Sequence, residues 1–383
     1  MRPLEGLFVL DFTTLLPGPM ATLLLAEAGA EVVKVERPEG EDMRAYPAPW
    51  GRDSVYFALL NRGKKSVTLD LKNPVDRAAL APLVARADII VEQFRPGVMA
   101  RLGLGPADIA AINPKAIYCS ITGYGQTGPA SQKAGHDLNY ISDAGLLALS
   151  VGPPDAPVVP PALIADIAAG AYPAVINILL ALRERDRTGR GRALDIAMTD
   201  NLFPFLFWAL GDGLAGGAWR GSGEHILTGA SARYRLYPCA DARILAVAAL
   251  EDKFWANFCE TVGLEAVFCN NHFAPATIAR VSAIIKSEPS PVWRARFSGR
   301  DCCCSIVATL REALDNPQFS ARGLMAHRLV NEAGASLAAL PAPIDPAFRG
   351  VAEKAVPAPV LGGHNREFGI ERSPAPPGPK GNS

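Results

Sequence analysis

His136, within Gly135-His136-Asp137-Leu138-Asn139-Tyr140, and Asp166, within Ala165-Asp166-Ile167-Ala168-Ala169-Gly170, stand 30 positions apart on separate segments. One imidazole and one carboxyl, each able to give and take a proton, suit a site that lifts a proton from one face of a carbon and returns it to the other. Imidazole serves in either protonation state near neutral pH. An aspartate must first have its neutral form favoured, by burial or by a neighbouring carboxylate, before it can donate as well as accept. Asp166 also opens an apolar stretch that reads as a helix, and the first backbone N–H groups of that helix are candidates for meeting a developing oxyanion. The same aspartate could serve only as a helix cap, and a lone histidine before an aspartate is more often structural.

Three cations form a second group. Arg37, Lys72 and Arg95 each lie at or just beyond the end of a segment that reads as a strand. Ligands of open α/β sheets bind in the crevice outside the carboxyl ends of the strands, so this trio would suit a phosphorylated ligand through charge-assisted hydrogen bonds.

The elements that must position these residues alternate. Leu7–Phe12 reads as an apolar strand, Pro17-Gly18-Pro19 as a turn, Met20–Ala28 as a helix, and Glu31–Glu36 as a strand of period two. Strand, helix and strand over about thirty residues is a right-handed crossover and implies a parallel sheet. The theme recurs in Ser66–Leu71, the helix Pro74–Arg86, Asp88–Glu92, Ala116–Thr122 and Ala193–Met198. Asp166–Arg185 has the composition of a helix buried inside a domain or a dimer. Leu202–Leu210 reads as a further helix and the glycine-rich Gly211–Gly229 as a linker. The expected fold class is α/β: a Rossmann-like large domain with a parallel sheet over residues 1–200, completed by 330–371, and a smaller α+β domain over 230–329 after the linker 201–229. The proline-rich end, 372–383, reads as a disordered tail.

Charge and composition narrow the field. The 383 residues carry 38 basic and 38 acidic side chains, so nucleic acid and anionic membranes are not expected as partners. The N-terminal apolar stretch is broken by Asp11 and by the proline-glycine turn, unlike a signal peptide, and no unbroken apolar run reaches membrane-spanning length. A cytoplasmic protein is expected. The seven cysteines, including Cys302-Cys303-Cys304, lack the spacing of metal ligands. No G-x-G-x-x-G follows the first strand and no G-x-x-x-x-G-K-[ST] occurs, which removes the usual support for nicotinamide, flavin or nucleotide-hydrolysing roles.

Longer motifs carry a resemblance. Pro3-Leu4-Glu5-Gly6-Leu7, Val35-Glu36-Arg37-Pro38, Leu60-Asn61-Arg62-Gly63-Lys64-Lys65-Ser66-Val67, Asp70-Leu71-Lys72, Glu92-Gln93-Phe94-Arg95-Pro96-Gly97-Val98 and Thr122-Gly123-Tyr124-Gly125-Gln126-Thr127-Gly128-Pro129 cover most of the first 200 residues. With the settings of His136 and Asp166, they resemble the α-methylacyl-CoA racemases of the class III (CaiB/BaiF) CoA-transferase superfamily. The resemblance implies an interlocked homodimer, an acyl-CoA thioester substrate and no permanently bound cofactor or metal. It implies coenzyme A contacts from Arg37, Lys72, Arg95, Asp137 and Tyr140. His136 and Asp166 would be the two acid–bases that invert C2 of a 2-methylacyl-CoA through an enolate. Val247-Ala248-Ala249-Leu250-Glu251 resembles the racemases' strand ending in a carboxylate, which implies that Glu251 of the partner subunit approaches Asp166. Two alternatives stay open: a CoA-transferase in which Asp166 is the nucleophile that forms an acyl anhydride, and a non-catalytic acyl-CoA-binding protein. Leu227-Thr228-Gly229-Ala230-Ser231 lacks the glycine run of the transferases and also departs from the Asp-Gly-Gly-Ala-Pro of the racemases.

Overall fold

The computed structural model describes residues 2–352 and 354–370, so the expected tail 372–383 lies outside the described residues. Six segments, Phe8–Asp11 (β1), Glu31–Glu36 (β2), Lys65–Thr68 (β3), Ile89–Glu92 (β4), Ile117–Thr122 (β5) and Ala193–Ala197 (β6), form one sheet. Its order is β3-β2-β1-β4-β5-β6, and every neighbouring pair is parallel. Leu10 lies opposite both Val33 and Ile90 at the centre. All residues of β1, β4 and β5 are buried, as they must be when helices cover both faces. The direction of winding reverses between β1 and β4, which makes that gap the topological switch point.

Two local readings change. The expected turn Pro17-Gly18-Pro19 is instead the first turn of helix α1, Pro17–Glu27, because proline at the first helical position loses no hydrogen bond. The polar positions of β2 do not face water: Lys34 is fully buried and Glu36 nearly so, within an ionic cluster that includes Asp11, Glu41, Arg44 and Lys64.

Helix α2, Pro74–Arg86, follows β3 as expected, and the short helix α3, Asp137–Asp143, follows β5. Helix α4, Ile164–Thr188, packs on β5 and α1 through Ala174, Ile178, Ala181 and Leu182. By length and composition alone it is apolar enough to cross a bilayer, and Ile176, Leu179 and Leu180 on its other face are exposed. Its C-terminal turn is tied to the sheet by Arg185 Nη1 on Asp88 Oδ1 at 2.8 Å.

The segment from residue 321 on belongs to this unit, a return nine residues before the expected start at 330. Arg328–Val330 (β10), Ser336–Ala338 (β11) and Val356–Pro357 (β12) form a small sheet. The edge strand β3 is then covered: Thr68 N–H donates to Asn365 Oδ1 at 2.9 Å and Gly362 N–H to Ser66 Oγ at 3.1 Å.

The second compact unit comprises residues 145–161 and 205–320. Its antiparallel sheet contains Tyr234–Pro238 (β7), Ile244–Ala248 (β8) and Cys304–Ile306 (β9), with β8 central. Helices Asp252–Val262 (α5), Pro275–Lys286 (α6) and Ser290–Phe297 (α7) supply its core around Trp255, Phe258 and Trp293. The α+β expectation holds, but its boundaries shift: the expected linker residues 205–229 fall inside this unit, and 321–329 fall outside it. Residues 145–161, expected in the large domain, belong here, and the expected helix Leu202–Leu210 is split. Asp200–Leu206 is a 3-10 turn containing Pro204, and a helix follows only at Phe207–Leu214. Cys302, buried, and Cys303, exposed, lie in the loop that leads into β9, and Cys304 is the first residue of that strand.

Candidate active site

At the switch point, loops from the carboxyl ends of β1, β4, β5 and β6 enclose a cleft of about 500 Å³. His136, Asp166, Arg95 and Tyr140 line it together, with Thr14, Leu15, Gln93, Lys133 and Met198. Gln93 fastens two of its walls, since its Oε1 accepts the Gly18 N–H at 3.0 Å.

His136 is exposed at the N-cap of α3, where its own N–H donates to Asn139 Oδ1 at 3.1 Å. The Tyr140 ring supports this turn from below. It lies so close to Gly123 and Gly135 that a Cβ at either would fall within 2.4 and 2.7 Å of it, respectively, which is why both are glycine. The Tyr140 hydroxyl donates to Gly135 O at 2.5 Å, and burial pushes its pKa up to about 12, so it remains a neutral donor.

Asp137 links the segments that carry His136 and Asp166. It is buried, and its Oδ1 accepts the Asp166 N–H at 2.9 Å, with the Ala165 N–H bonded to the same carboxylate. The residue directly after His136 therefore caps the helix that carries Asp166, and its carboxylate ties the two segments together. Burial raises the Asp166 pKa to about 6. The Asp137 carboxylate adds to that shift, and the nearby imidazole of His136 opposes it. A carboxyl so placed is available both as acid and as base close to neutral pH.

This geometry corrects one expectation. The N–H groups at the start of the helix are not free to meet an enolate. The helix begins at Ile164, two residues before Asp166; Asp137 takes the N–H groups of Ala165 and Asp166, and Ile167 N–H donates to Leu163 O. Past Asp166 the helix widens into a π-turn, Ile167–Ala171. Pro173 has no N–H with which to bond Ala169 O, and Asn201 Nδ2 donates to that carbonyl instead, at 3.0 Å.

The cations are spread more widely than expected. Arg37, Lys72 and Arg95 follow β2, β3 and β4 and so share the carboxyl rim of the sheet, but only Arg95 lines the cleft. Three strand spacings, about 15 Å, separate β3 from β4, so the trio could serve an elongated ligand but not a compact one. Arg37 bonds Gly40 O at 2.6 Å and pairs with Asp42. The cleft's second cation is Lys133, which sequence reasoning missed; it pairs with Asp143 at 2.5 Å, and Tyr124 donates to the same carboxylate. Asp137 and Tyr140, expected as ligand contacts, spend their polar atoms inside the protein.

Glu251 lies in the second unit, exposed, as the residue before α5. Arg233 shapes the turn that presents it, through Leu250 O at 2.9 Å and Asp252 Oδ1 at 2.7 Å.

The sequence model described as CoA-transferase family III matches residues 4–365. The chain belongs to CoA-transferase family III. Among its relatives, it is 35% identical to the alpha-methylacyl-CoA racemase of Mus musculus over 321 residues, covering 81% of this chain and 79% of the relative. It is 33% identical to the succinyl-CoA:glutarate CoA-transferase of the same organism over 382 residues, covering 96% and 86%. A crystal structure of a CaiB/BaiF family protein from Brucella suis superposes with a TM-score of 0.80 at 29% identity, covering 97% of this chain and 99% of that one. A six-stranded parallel sheet of CoA-transferase family III thus carries the cleft, and members of this family act on CoA thioesters without a permanent cofactor.

Proposed function

We propose that this protein is an acyl-CoA racemase or epimerase that inverts C2 of a 2-methylacyl-CoA. The observation that carries the reading is a carboxyl held near pKa 6 beside an imidazole in one cleft, their segments joined through Asp137. One of the pair accepts the C2 proton. The electron pair of the C–H bond passes into the thioester as an enolate, and the other member delivers a proton to the opposite face. The pair then carries its proton on the opposite member, ready for the reverse direction. Arg95 and Lys133 supply positive charge for the CoA phosphates. In the proposed homodimer, the partner subunit's Glu251 approaches Asp166 and favours its neutral form.

A single-enantiomer 2-methylacyl-CoA incubated in deuterated water tests this directly. Deuterium at C2 with loss of optical purity, abolished in His136→Ala, is the expected result. A second reading is CoA transfer through an Asp166 anhydride, favoured by the fuller coverage of the chain by succinyl-CoA:glutarate CoA-transferase. No deuterium uptake, together with CoA transfer to added carboxylic acids that survives His136→Ala, would establish that reading instead.

A further inference from the structure

The loop after β1, Phe12–Leu16, forms one wall of the cleft, and Leu15 within it has φ of +61°. A leucine pays for that left-handed conformation with a Cβ–carbonyl clash, so something must hold it there. A buried ion pair does so from both sides. Lys34 Nζ donates to Thr13 O at 2.7 Å, and Leu15 N–H donates to Glu41 Oε2 at 2.9 Å. Lys34 Nζ and Glu41 Oε1 meet at 3.3 Å with both side chains shut off from water. Asn61 Nδ2 donates to the same Oε1 at 3.4 Å. Both oxygens of Glu41 therefore face donors only, and a glutamine amide would find no acceptor for its NH₂ at either position. Asp11 completes the grip by accepting the Thr13 N–H at 2.9 Å.

The loop leads into α1, and α1 packs on the π-turn that follows Asp166. Arg95 and Lys133 are the cationic groups of the cleft, whereas Leu15, Pro17, Ile121 and Met198 are apolar, so an amphipathic ligand has two distinct ends to satisfy. We propose that the Lys34–Glu41 pair is a positioning device that fixes Leu15 in its left-handed turn, so that the Leu15 side chain forms the wall receiving the acyl end of an acyl-CoA. Glu41 and Lys34 act through Leu15 and touch no substrate themselves. The inference rests on the proposed acyl-CoA site and adds a determinant of acyl selectivity to it.

The experiment compares wild type, Glu41→Gln and Leu15→Gly by calorimetric titration with free CoA and with a 2-methylacyl-CoA. Thermal melts check folding, and C2 deuterium exchange is measured in parallel. Glycine accepts the left-handed backbone but removes the side chain, whereas glutamine releases the clamp and keeps the side chain. In both variants free CoA is expected to bind within about twofold of wild type, while the acyl-CoA loses about tenfold, the scale of one partly buried leucine. An unchanged ratio of acyl-CoA to CoA affinity in either folded variant overturns the proposal. So does an equal fall in both affinities, which would mark the pair as structural only. Should Glu41→Gln not fold, Glu41→Asp, which draws the carboxylate back from the Leu15 N–H, takes its place in the same comparison. Wild type that binds the acyl-CoA but exchanges no deuterium overturns the catalytic reading, while the affinity ratio still judges the clamp. Wild type that binds neither ligand overturns both.

Discussion

Asp166 is neutral at a pH where most aspartates are ionised, and the cause is local: burial first, then the Asp137 carboxylate. In the proposed reaction Asp166 must be ionised to accept the C2 proton, so exchange that uses it as base is expected to fall as pH drops below about 6. An unburied aspartate would place that limb about two units lower, and a pH–rate profile in deuterated buffer separates the two. Stability follows the same shift with a definite sign. The folded pKa lies above the unfolded one, so the contribution is fully present below about pH 4 and lost as pH rises through 6. Asp166→Asn should therefore reduce exchange 10²–10⁴-fold, on the order expected of a lost acid–base group. It should also stabilise the fold by about 1–3 kcal/mol at pH 8 and by little at pH 4, as read by urea melts at the two pH values. Asp137→Ala is expected to act in the opposite sense on stability, losing about 1 kcal/mol with its cap and displacing Asp166 from His136. Exchange should fall while affinity for free CoA, measured by calorimetry, stays near wild type. His136 and Asp166 were legible because their residue types and settings name a chemistry. The role of Asp137 was not, since a carboxylate that caps a helix 29 residues away leaves no local pattern.

The elements divide in the same way. Strands β1, β2 and β4 and the helices between them could be read because continuous apolar runs and crossover lengths admit few alternatives. The buried charges of β2 could not: period two says that Lys34 and Glu36 share a face, and only tertiary structure says that the face is covered. The π-turn after Asp166 was likewise hidden, although Pro173 marked its place, because its compensating donor comes from beyond β6. Here the pair of substitutions is informative. Asn201→Ala leaves the Ala169 carbonyl without its side-chain donor and should destabilise by about 1–2 kcal/mol. In a Pro173→Ala background the new N–H can serve that carbonyl, so the same substitution should cost markedly less. Equal costs in the two backgrounds, measured by denaturant titration, would remove Pro173 as the reason for the turn.

At the scale of the whole molecule, zero net charge imposes no long-range repulsion between copies, and α4 leaves Ile176, Leu179 and Leu180 in water. Both fit the proposed homodimer, whose sharpest consequence concerns Glu251. If Asp166 of one chain works with the partner's Glu251, then neither Asp166→Asn nor Glu251→Gln can support full exchange alone, but the two chains together can. A mixed dimer would hold one site with both defects and one wholly wild-type site. Random assortment makes about half of the dimers mixed, so co-expressed variants should regain about a quarter of wild-type exchange. Were each site built within one chain, every site would carry one defect, and the mixture would exchange no faster than the average of the two variants measured separately. The assay therefore reads subunit sharing and the role of Glu251 from one number. Size-exclusion chromatography with light scattering establishes beforehand that the species assayed is a dimer. A fully active monomer would place Glu251 outside the partner's site and return its role to the turn that Arg233 holds.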